Sequence, residues 1–255
     1  MAHVIPFHGT LYNPATVGDV RQVVAPPYDI IDATLQKTLH DRHPNNVIRL
    51  ELGYEQPGDT TGDNKYLRAA GALKEWLKSG ALRRDDKPAI YYHTIEYQPP
   101  YSAPGTPTKV FKGFLSTVEL EEFGSGKIYP HENTRAAAKT DRFNLLEACR
   151  ANFSAIISLY SDPQNDVLTL IERSIASDKP RIDFQDDVGF RQRLWSVTDP
   201  AVLAKVVEIM HTKQLFIADG HHRYETALNY RRARRQQAGA PSGPQPYDNV
   251  LMLFA

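Results

Sequence analysis

Apolar residues recur at helical spacing in several segments of the chain. Between residues 67 and 77 they lie three or four positions apart, and Gly80 follows as a residue that ends helices. The same spacing predicts helices over residues 33–42, 134–150, 166–176, 200–211 and about 221–237. At one of these starts Asp199 precedes Pro200, which is a typical N-cap followed by a typical first helical residue.

Apolar and alternating runs predict strands between these helices. They cover residues 3–8, 46–52, 89–97, 109–120, 153–160, 191–197, 214–218 and 250–255. Strands and helices alternate through the second half, which favours an α/β fold (mixed α+β) with a mixed sheet and flanking helices. The final run, Val250–Ala255, is uniformly apolar like a buried strand, so we expect the chain to be a fragment of a longer protein.

Composition narrows the class of protein. The 255 residues include 30 basic and 30 acidic side chains, so no net charge attracts the chain to nucleic acid or to an anionic membrane. Cys149 is the only cysteine, which excludes an internal disulfide and fits a reducing compartment. Neither a signal peptide nor a run of about 20 apolar residues is present. We therefore expect a cytoplasmic protein with no nucleic-acid or membrane partner.

The strongest candidate for chemistry is the run Asp219-Gly220-His221-His222-Arg223, which follows an apolar strand and opens a helix. A helix N-terminus presents unpaired N–H groups and the positive end of the helix dipole, so it suits a phosphate. Gly220 allows the backbone to approach a ligand closely, and the two histidines and Arg223 add side-chain donors. Asp219 could hold Mg²⁺ or a substrate amine or hydroxyl. The alternative is an Asp-Gly turn with two surface histidines and an ion-paired arginine.

A second candidate is Pro130-His131-Glu132, which directly precedes a predicted helix. A glutamate held between a proline and a helix start is a credible general base. The segment could equally be no more than a helix start, with Asn133 or Thr134 as the N-cap. On the helix that follows, Lys139 and Arg142 lie one turn apart. They could neutralise phosphate oxygens, or they could belong to a solvated face.

Three weaker patterns remain open. Tyr28, in a double-proline loop, and Arg49 could line a pocket or could have structural roles. The basic run Arg231–Arg235 has no interleaved aromatic residues, so it is a weak indication of nucleic-acid binding. A zinc site is a further possibility, although His-x-x-x-His and Cys-x-x-Cys spacings are missing. Its ligands would come from His131, Glu132, His221 and His222.

Motifs spread over nearly the whole chain resemble those of the domain-of-unknown-function 1015 family. The resemblance is to the N-terminal part of that prokaryotic family, whose members typically continue beyond the last residue of this chain. The matching stretches are Val23–Ile31, Asn45–Leu50, Pro130–Thr134, Lys139–Arg142, Ala151–Ser154 and Ile217–Leu228.

The run Asp219–Arg223 also resembles the phosphate-binding motif of the ParB/sulfiredoxin-like fold, in which a strand–glycine–helix turn binds nucleotide phosphates. Within that group it is most similar to the free-serine kinases, which use ADP or ATP to make O-phosphoserine. Those kinases also carry a Pro-His-Glu segment with the glutamate as catalytic base, and Pro130-His131-Glu132 matches it. The two motifs lie some 86 residues apart, from His131 to Ile217, which is wider than in a compact ParB-like domain.

Together, the residues and the resemblance imply a nucleotide-dependent phosphotransferase acting on a small hydroxylated metabolite, with free serine as the specific expectation. ATP or ADP and Mg²⁺ would be the cofactors, with Glu132 as the base and Asp219 as the metal or acceptor ligand. Phosphates would be bound by Gly220, His221, His222, Arg223, Lys139 and Arg142. The substrate would be bound by His131, Tyr28 and Arg49. The alternatives are a nucleotide-binding regulatory module without turnover and a metal-dependent hydrolase.

The same resemblance suggests how the chain is organised. We expect an N-terminal α/β region over residues 1–125, which has no counterpart in a ParB-like domain. A ParB/sulfiredoxin-like phosphate-binding region, truncated at its C-terminal end, would follow over residues 126–255.

Overall fold

The computed structural model describes residues 2–103, 105–124, 126–132, 136–239 and 241–255. The strands in these residues are β1 (Val4–Ile5), β2 (Thr10–Tyr12), β3 (Leu82–Arg84), β4 (Ile90–Tyr97), β5 (Lys109–Glu119), β6 (Ile128–Tyr129), β7 (Ile156–Leu159), β8 (Ile182–Gln185), β9 (Arg191–Val197), β10 (Leu215–Asp219) and β11 (Asn249–Phe254). The helices are α1 (Pro14–Val17), α2 (Ala33–Arg42), α3 (Ile48–Glu51), α4 (Lys65–Ser79), α5 (Ala136–Cys149), α6 (Asp166–Ser174), α7 (Pro200–His211) and α8 (His221–Gln237). The predicted mixed α/β class is confirmed.

The chain divides into two compact units, each built from separate stretches of sequence. The first unit comprises Met1–His8, Asp86–Thr134 and Ala155–Ala255. The second unit comprises Gly9–Asp85 and Arg135–Ser154. The domain boundary expected after residue 125 falls inside the first unit. The division of the chain into two domains at that boundary stays a prediction.

Among the described residues, nine strands form a mixed sheet in the first unit. Their order is β6-β10-β7-β11-β5-β4-β9-β8, and β1 pairs with β5. Two neighbouring pairs are parallel, β6 with β10 and β7 with β11, while the other pairs are antiparallel. Strand β11 lies between β5 and β7 in the interior of the sheet, and Val250, Met252 and Phe254 are buried.

The core of the first unit lies between one face of this sheet and the helices α6, α7 and α8. Leu215 and Ile217 of β10 are buried in this core, whereas Phe216 between them is exposed. This alternation is typical of a strand that is covered on one face only. The helices contribute Val167, Ile171, Leu203, Val206, Met210, Tyr224, Ala227 and Leu228.

The second unit contains α1 to α5 and the antiparallel pair of β2 and β3. As predicted, α4 ends at Gly80, whose φ of 78° is left-handed. The helix over residues 200–211 is likewise confirmed as α7 in the first unit, with Asp199 as its N-cap. No helix among the described residues is long and apolar enough to cross a membrane.

The strand predicted over residues 46–52 is wrong, because this segment contains the helical turn α3. The side chain of Asn46 accepts a hydrogen bond from the N–H of Ile48 (3.0 Å) and donates to two backbone carbonyls. Periodicity alone does not separate strand from helix in so short an apolar run, and the local hydrogen bond of the Asn46 side chain favours the turn. The sequence analysis also missed β8, and the N-cap expected at Asn133 or Thr134 lies outside the described residues.

Candidate functional site

The parallel strands β6 and β10 end at the same edge of the sheet in the first unit. Tyr129 pairs with Phe216 in their register. Strand β6 is followed by Pro130-His131-Glu132, and β10 is followed by Gly220 and the first turn of α8. The two segments that the sequence analysis singled out therefore meet beyond the carboxyl ends of neighbouring strands, where α/β sheets commonly bind ligands.

The two segments contact each other through His131 and His221. The backbone N–H of His131 donates to Nε2 of His221 (3.2 Å), and the two rings meet edge to face with their centroids 4.5 Å apart. His221 is 3% exposed, and this burial, together with the neighbouring His131, holds the pKa of its imidazole below the ordinary value. His221 is therefore neutral at pH 7, because even an unperturbed histidine titrates near pH 6.5.

The hydrogen-bond partners fix which nitrogen of each ring carries the proton. A neutral His221 that accepts at Nε2 carries its proton on Nδ1, which lies 3.8 Å from Oε2 of Glu132. Nδ1 of His131 lies 2.7 Å from the carbonyl oxygen of Ile217 and must donate to it. Nε2 of His131 then lies 3.5 Å from Oε1 of Glu132. The Glu132 carboxylate, 62% exposed, thus faces both histidines and solvent.

Gly220 forms the turn between β10 and α8. Its φ of 94° is left-handed, and a Cβ at this position would lie 3.0 Å from Nε of Arg223. The Arg223 guanidinium bonds to the Asp219 carboxylate and to the backbone carbonyl of Ala155. This ion pair agrees with the alternative interpretation as a structural turn, whereas the burial of His221 does not, since that interpretation expects a surface histidine.

The first turn of α8 is anchored to the core through Tyr224. Its side chain is fully buried, and its ring stacks on Phe123 with the centroids 5.0 Å apart. The hydroxyl donates to the carbonyl of Glu121 (2.8 Å) and accepts from the N–H of the same residue (2.9 Å). The helix start that faces Glu132 is therefore held in place by both packing and hydrogen bonds.

His131, Glu132 and His221 form a group that could hold a metal ion, because one ligand atom from each lies within 4.8 Å of the others. Two imidazoles and a carboxylate would suit a transition metal. In the hydrogen-bonded arrangement, however, Nε2 of His221 already accepts a bond and Nδ1 carries the proton. His221 then offers no free lone pair to a metal ion. Mg²⁺ prefers oxygen ligands, and the carboxylate predicted to hold it is that of Asp219, which is ion-paired with Arg223.

The remaining predicted site residues divide between the two units. His222 lies half-buried in the first turn of α8. The second unit contains Tyr28, Arg49, Lys139 and Arg142. Arg49 donates to a backbone carbonyl of α2 (2.7 Å). These four residues belong to a different unit from Glu132, and their binding roles stay predictions.

Arg142 takes part in a buried network inside the second unit. Its guanidinium donates to the Glu51 carboxylate (3.1 Å), to the Glu51 carbonyl (3.0 Å) and to Asp141. The ring of Tyr28 lies 4.2 Å from the guanidinium carbon. Ser154 also donates to Glu51 (2.8 Å). These contacts give Arg142 a structural role beside the phosphate role that the sequence predicts.

The sequence analysis assigned no functional role to three residues that the structure brings forward: Glu51, Tyr129 and Phe216. Glu51 is the buried partner of Arg142, and its signal was a carboxylate inside an apolar run. Tyr129 is an exposed aromatic residue directly before Pro130, and Phe216 is an exposed aromatic residue three positions before Asp219. Nothing in their local pattern showed that they would become neighbours.

A family model described as protein of unknown function (DUF1015) matches residues 4–255, nearly the whole chain. No curated protein and no solved structure matches the chain. The similarity to the ParB/sulfiredoxin-like fold that the sequence suggested stays a prediction.

Proposed function

Because the chain belongs to the DUF1015 family, whose function is unknown, we propose its function from the site itself. The protein is a nucleotide-dependent phosphotransferase that acts on a small hydroxylated metabolite, with free serine as the first substrate to test. One observation carries the proposal: Glu132 meets the start of α8, with 3.8 Å between its carboxylate and Nδ1 of His221. A base and a phosphate-binding element must both reach one substrate, and this arrangement satisfies that requirement.

The start of α8 is the proposed phosphate-binding element. The helix is 17 residues long, so its aligned peptide dipoles place a positive end at the first turn. Gly220 has no Cβ beside that turn, and the backbone N–H groups of a helix start are suited to phosphate oxygens. The buried ring of His221 supports Glu132 in this proposal, and the backbone binds the phosphate.

Glu132 is the proposed general base. Its exposed carboxylate is open to a substrate hydroxyl, and the Nδ1–H of His221 lies 3.8 Å from it. As the hydroxyl oxygen forms a bond to the terminal phosphorus, the bond to the nucleotide leaving group breaks and the hydroxyl proton passes to Glu132. Phosphoryl transfer requires positioning and charge neutralisation above all, and a positioned base contributes about 10²–10⁴-fold.

Asp219 is the residue that would hold Mg²⁺. Bound there, the ion would neutralise negative charge on the phosphates. Asp219 is oriented by its ion pair with Arg223, so this arginine acts on the site through the carboxylate. ATP or ADP as the donor and a cytoplasmic location belong to the same proposal.

A metal-dependent hydrolase is the second candidate, because His131, Glu132 and His221 are grouped closely enough to bind one ion. Three protein ligands and one open position are typical of catalytic zinc sites. This function requires His221 to release the N–H of His131 and to turn a lone pair towards the metal. The phosphotransferase needs no such rearrangement, which is why we place it first.

The decisive experiment compares wild type with Glu132→Gln. The purified protein is assayed with ATP or ADP, Mg²⁺ and either serine, threonine, homoserine or glycerate, and nucleotide binding is measured by calorimetry. We expect Glu132→Gln to lose at least about 100-fold in turnover, because the proton acceptor is removed, while nucleotide affinity is retained. The matched control is Glu208→Gln on α7, whose side chain is 69% exposed and should leave both quantities unchanged.

Three results would contradict different parts of the proposal. Nucleotide binding without any phosphorylated product would replace the phosphotransferase by a regulatory module. A co-purifying transition metal with chelator-sensitive hydrolysis would favour the second candidate. If neither nucleotide nor tripolyphosphate binds, the phosphate-binding role of α8 is wrong.

A further inference from the structure

Two exposed aromatic side chains lie directly beside the candidate site. Tyr129 and Phe216 pair across β6 and β10, and their rings are stacked with the centroids 5.4 Å apart and an angle of 22° between the planes. Their exposures are 38% and 46%. The two rings thus form an ordered aromatic pair on the neighbouring strands β6 and β10. His131 follows the first of these strands, and Asp219 is the last residue of the second.

Strand alternation sets which way the pair faces. Ile128, Leu215 and Ile217 turn into the core, so Tyr129 and Phe216 lie on the opposite face of the sheet. The side-chain amide of Gln214 donates to the Tyr129 hydroxyl (3.3 Å), which restrains that ring. A ligand that covers the pair would therefore bind to side chains that are already ordered.

The apolar surface continues beyond the two rings. Leu159 on β7 is the register partner of Phe216, and its side chain is 47% exposed. Single exposed apolar residues are ordinary, but a contiguous row across three strands is typical of a binding surface.

We propose that Tyr129 and Phe216 bind the base of the nucleotide whose phosphates lie at the start of α8. This inference rests on the proposed function and names the part of the ligand that the phosphate-binding turn does not contact. At about 3.3 Å per strand residue, Tyr129 precedes His131 by about 7 Å and Phe216 precedes Asp219 by about 10 Å. In any nucleotide the ribose separates the base from the phosphates, so the two ends must be bound at a distance from each other.

The chemistry of the pair defines the specificity of this site. Every base has a π-face that stacks on aromatic rings, and such stacking does not distinguish strongly between bases. The site therefore takes the class of purine and pyrimidine nucleotides, with ATP and GTP of similar affinity. A protein partner would cover Leu159 and the rings alike, whereas a base needs the aromatic rings themselves.

The test separates the base from the phosphates. Calorimetry measures the affinities of ATP, GTP, tripolyphosphate and adenosine for the wild type, Phe216→Ala, Phe216→Tyr and the control Val110→Ala, an apolar residue of β5 that is 47% exposed. We expect Phe216→Ala to weaken ATP binding by about 5–150-fold and to leave tripolyphosphate binding unchanged. Phe216→Tyr should retain ATP affinity, and Val110→Ala should match the wild type.

Several results would overturn the proposal. If ATP and tripolyphosphate bind equally well to the wild type, the base makes no contact, although the phosphate site and the proposed function stand. The same conclusion follows if a folded Phe216→Ala keeps full ATP affinity. If ATP and tripolyphosphate both fail to bind, the proposed function fails and the base site fails with it.

Discussion

Gly220 is the position where the candidate site depends most directly on a single backbone conformation. Its φ of 94° is costly for any residue with a side chain, and an added Cβ would lie 3.0 Å from the Arg223 guanidinium. We expect Gly220→Ala to lower the free energy of unfolding by about 1–3 kcal/mol and to weaken nucleotide binding, because Arg223 must move. Urea unfolding and calorimetry measure the two effects.

Gly239→Ala is the matched control for this substitution. Gly239 also has a positive φ, 69°, but apart from its chain neighbours no atom of the described residues lies within 4 Å of the position a Cβ would take. The Gly239→Ala variant should lose less stability than Gly220→Ala and should keep its nucleotide affinity. Equal losses at both glycines would show that the contact with Arg223 contributes nothing.

The adjacent residues His221 and His222 show how far single positions could be interpreted from the sequence. The pattern treated both as phosphate donors. In the structure the ring of His221 is buried, with one nitrogen bonded to the His131 backbone and the other facing Glu132. Only the packing of α8 against the sheet decides which of two neighbouring side chains turns inward.

Helices α3 and α5 are joined by the buried pair of Glu51 and Arg142, whose side chains are 8% and 7% exposed. Burial by itself opposes ionisation of the neighbouring Asp141, but Arg142 and Lys65 hold the pKa of that carboxyl below its usual range. We expect Arg142→Met to lower the free energy of unfolding by about 3–5 kcal/mol, because it leaves Glu51 buried without its counter-charge. Chemical unfolding followed by circular dichroism measures this loss.

The double variant Glu51→Gln/Arg142→Met is the informative companion, since it removes both charges and should recover part of the lost stability. Lys205→Met, which breaks an exposed pair with Glu208, is the surface control and should cost less than about 1 kcal/mol. If Arg142→Met is no less stable than the wild type, the pair has no stabilising role.

The stability of the whole protein should fall as the pH drops below neutrality. Burial is the main reason why the pKa values of His40, His93 and His221 are lowered from 6.5. Between pH 6.5 and the lowered pKa values, these histidines are protonated in the unfolded chain but not in the folded protein. The unfolded chain therefore binds more protons, and the free energy of unfolding decreases as the pH falls. Each histidine contributes at most about 1.4 kcal/mol per pH unit. Unfolding at about pH 7.5, 6.5 and 5.5 tests this dependence.

The carboxylates titrate in a separate window, since groups such as Asp141 and Asp248 have pKa values below the ordinary 3.8. Their contribution is lost only at more acidic pH, so the range above about pH 5 isolates the histidines. His93→Gln should reduce the slope, whereas the same change at the exposed His8 is the control. A flat profile between pH 7.5 and 5.5 would contradict the prediction.

The elements themselves were largely determined by the sequence, because their signals are local. Helix α7 was predicted with its bounds, since Asp199, Pro200 and an apolar stripe all lie within one short stretch. Strands β4, β5 and β9 were likewise evident as long apolar or alternating runs. Capping and periodicity act between residues a few positions apart, so a single segment is enough to specify them.

The arrangement of the site depended on contacts between distant parts of the chain. Strand β6 has two residues and no sequence signal, and its pairing with β10 brings Tyr129 beside Phe216 and His131 beside His221. Long-range packing inside the second unit likewise gave Arg142 its buried partner Glu51, which no local pattern showed. Local patterns specify which residues are polar or helical, but register, burial and ion pairing are set only when segments about 90 residues apart compete for the same neighbours.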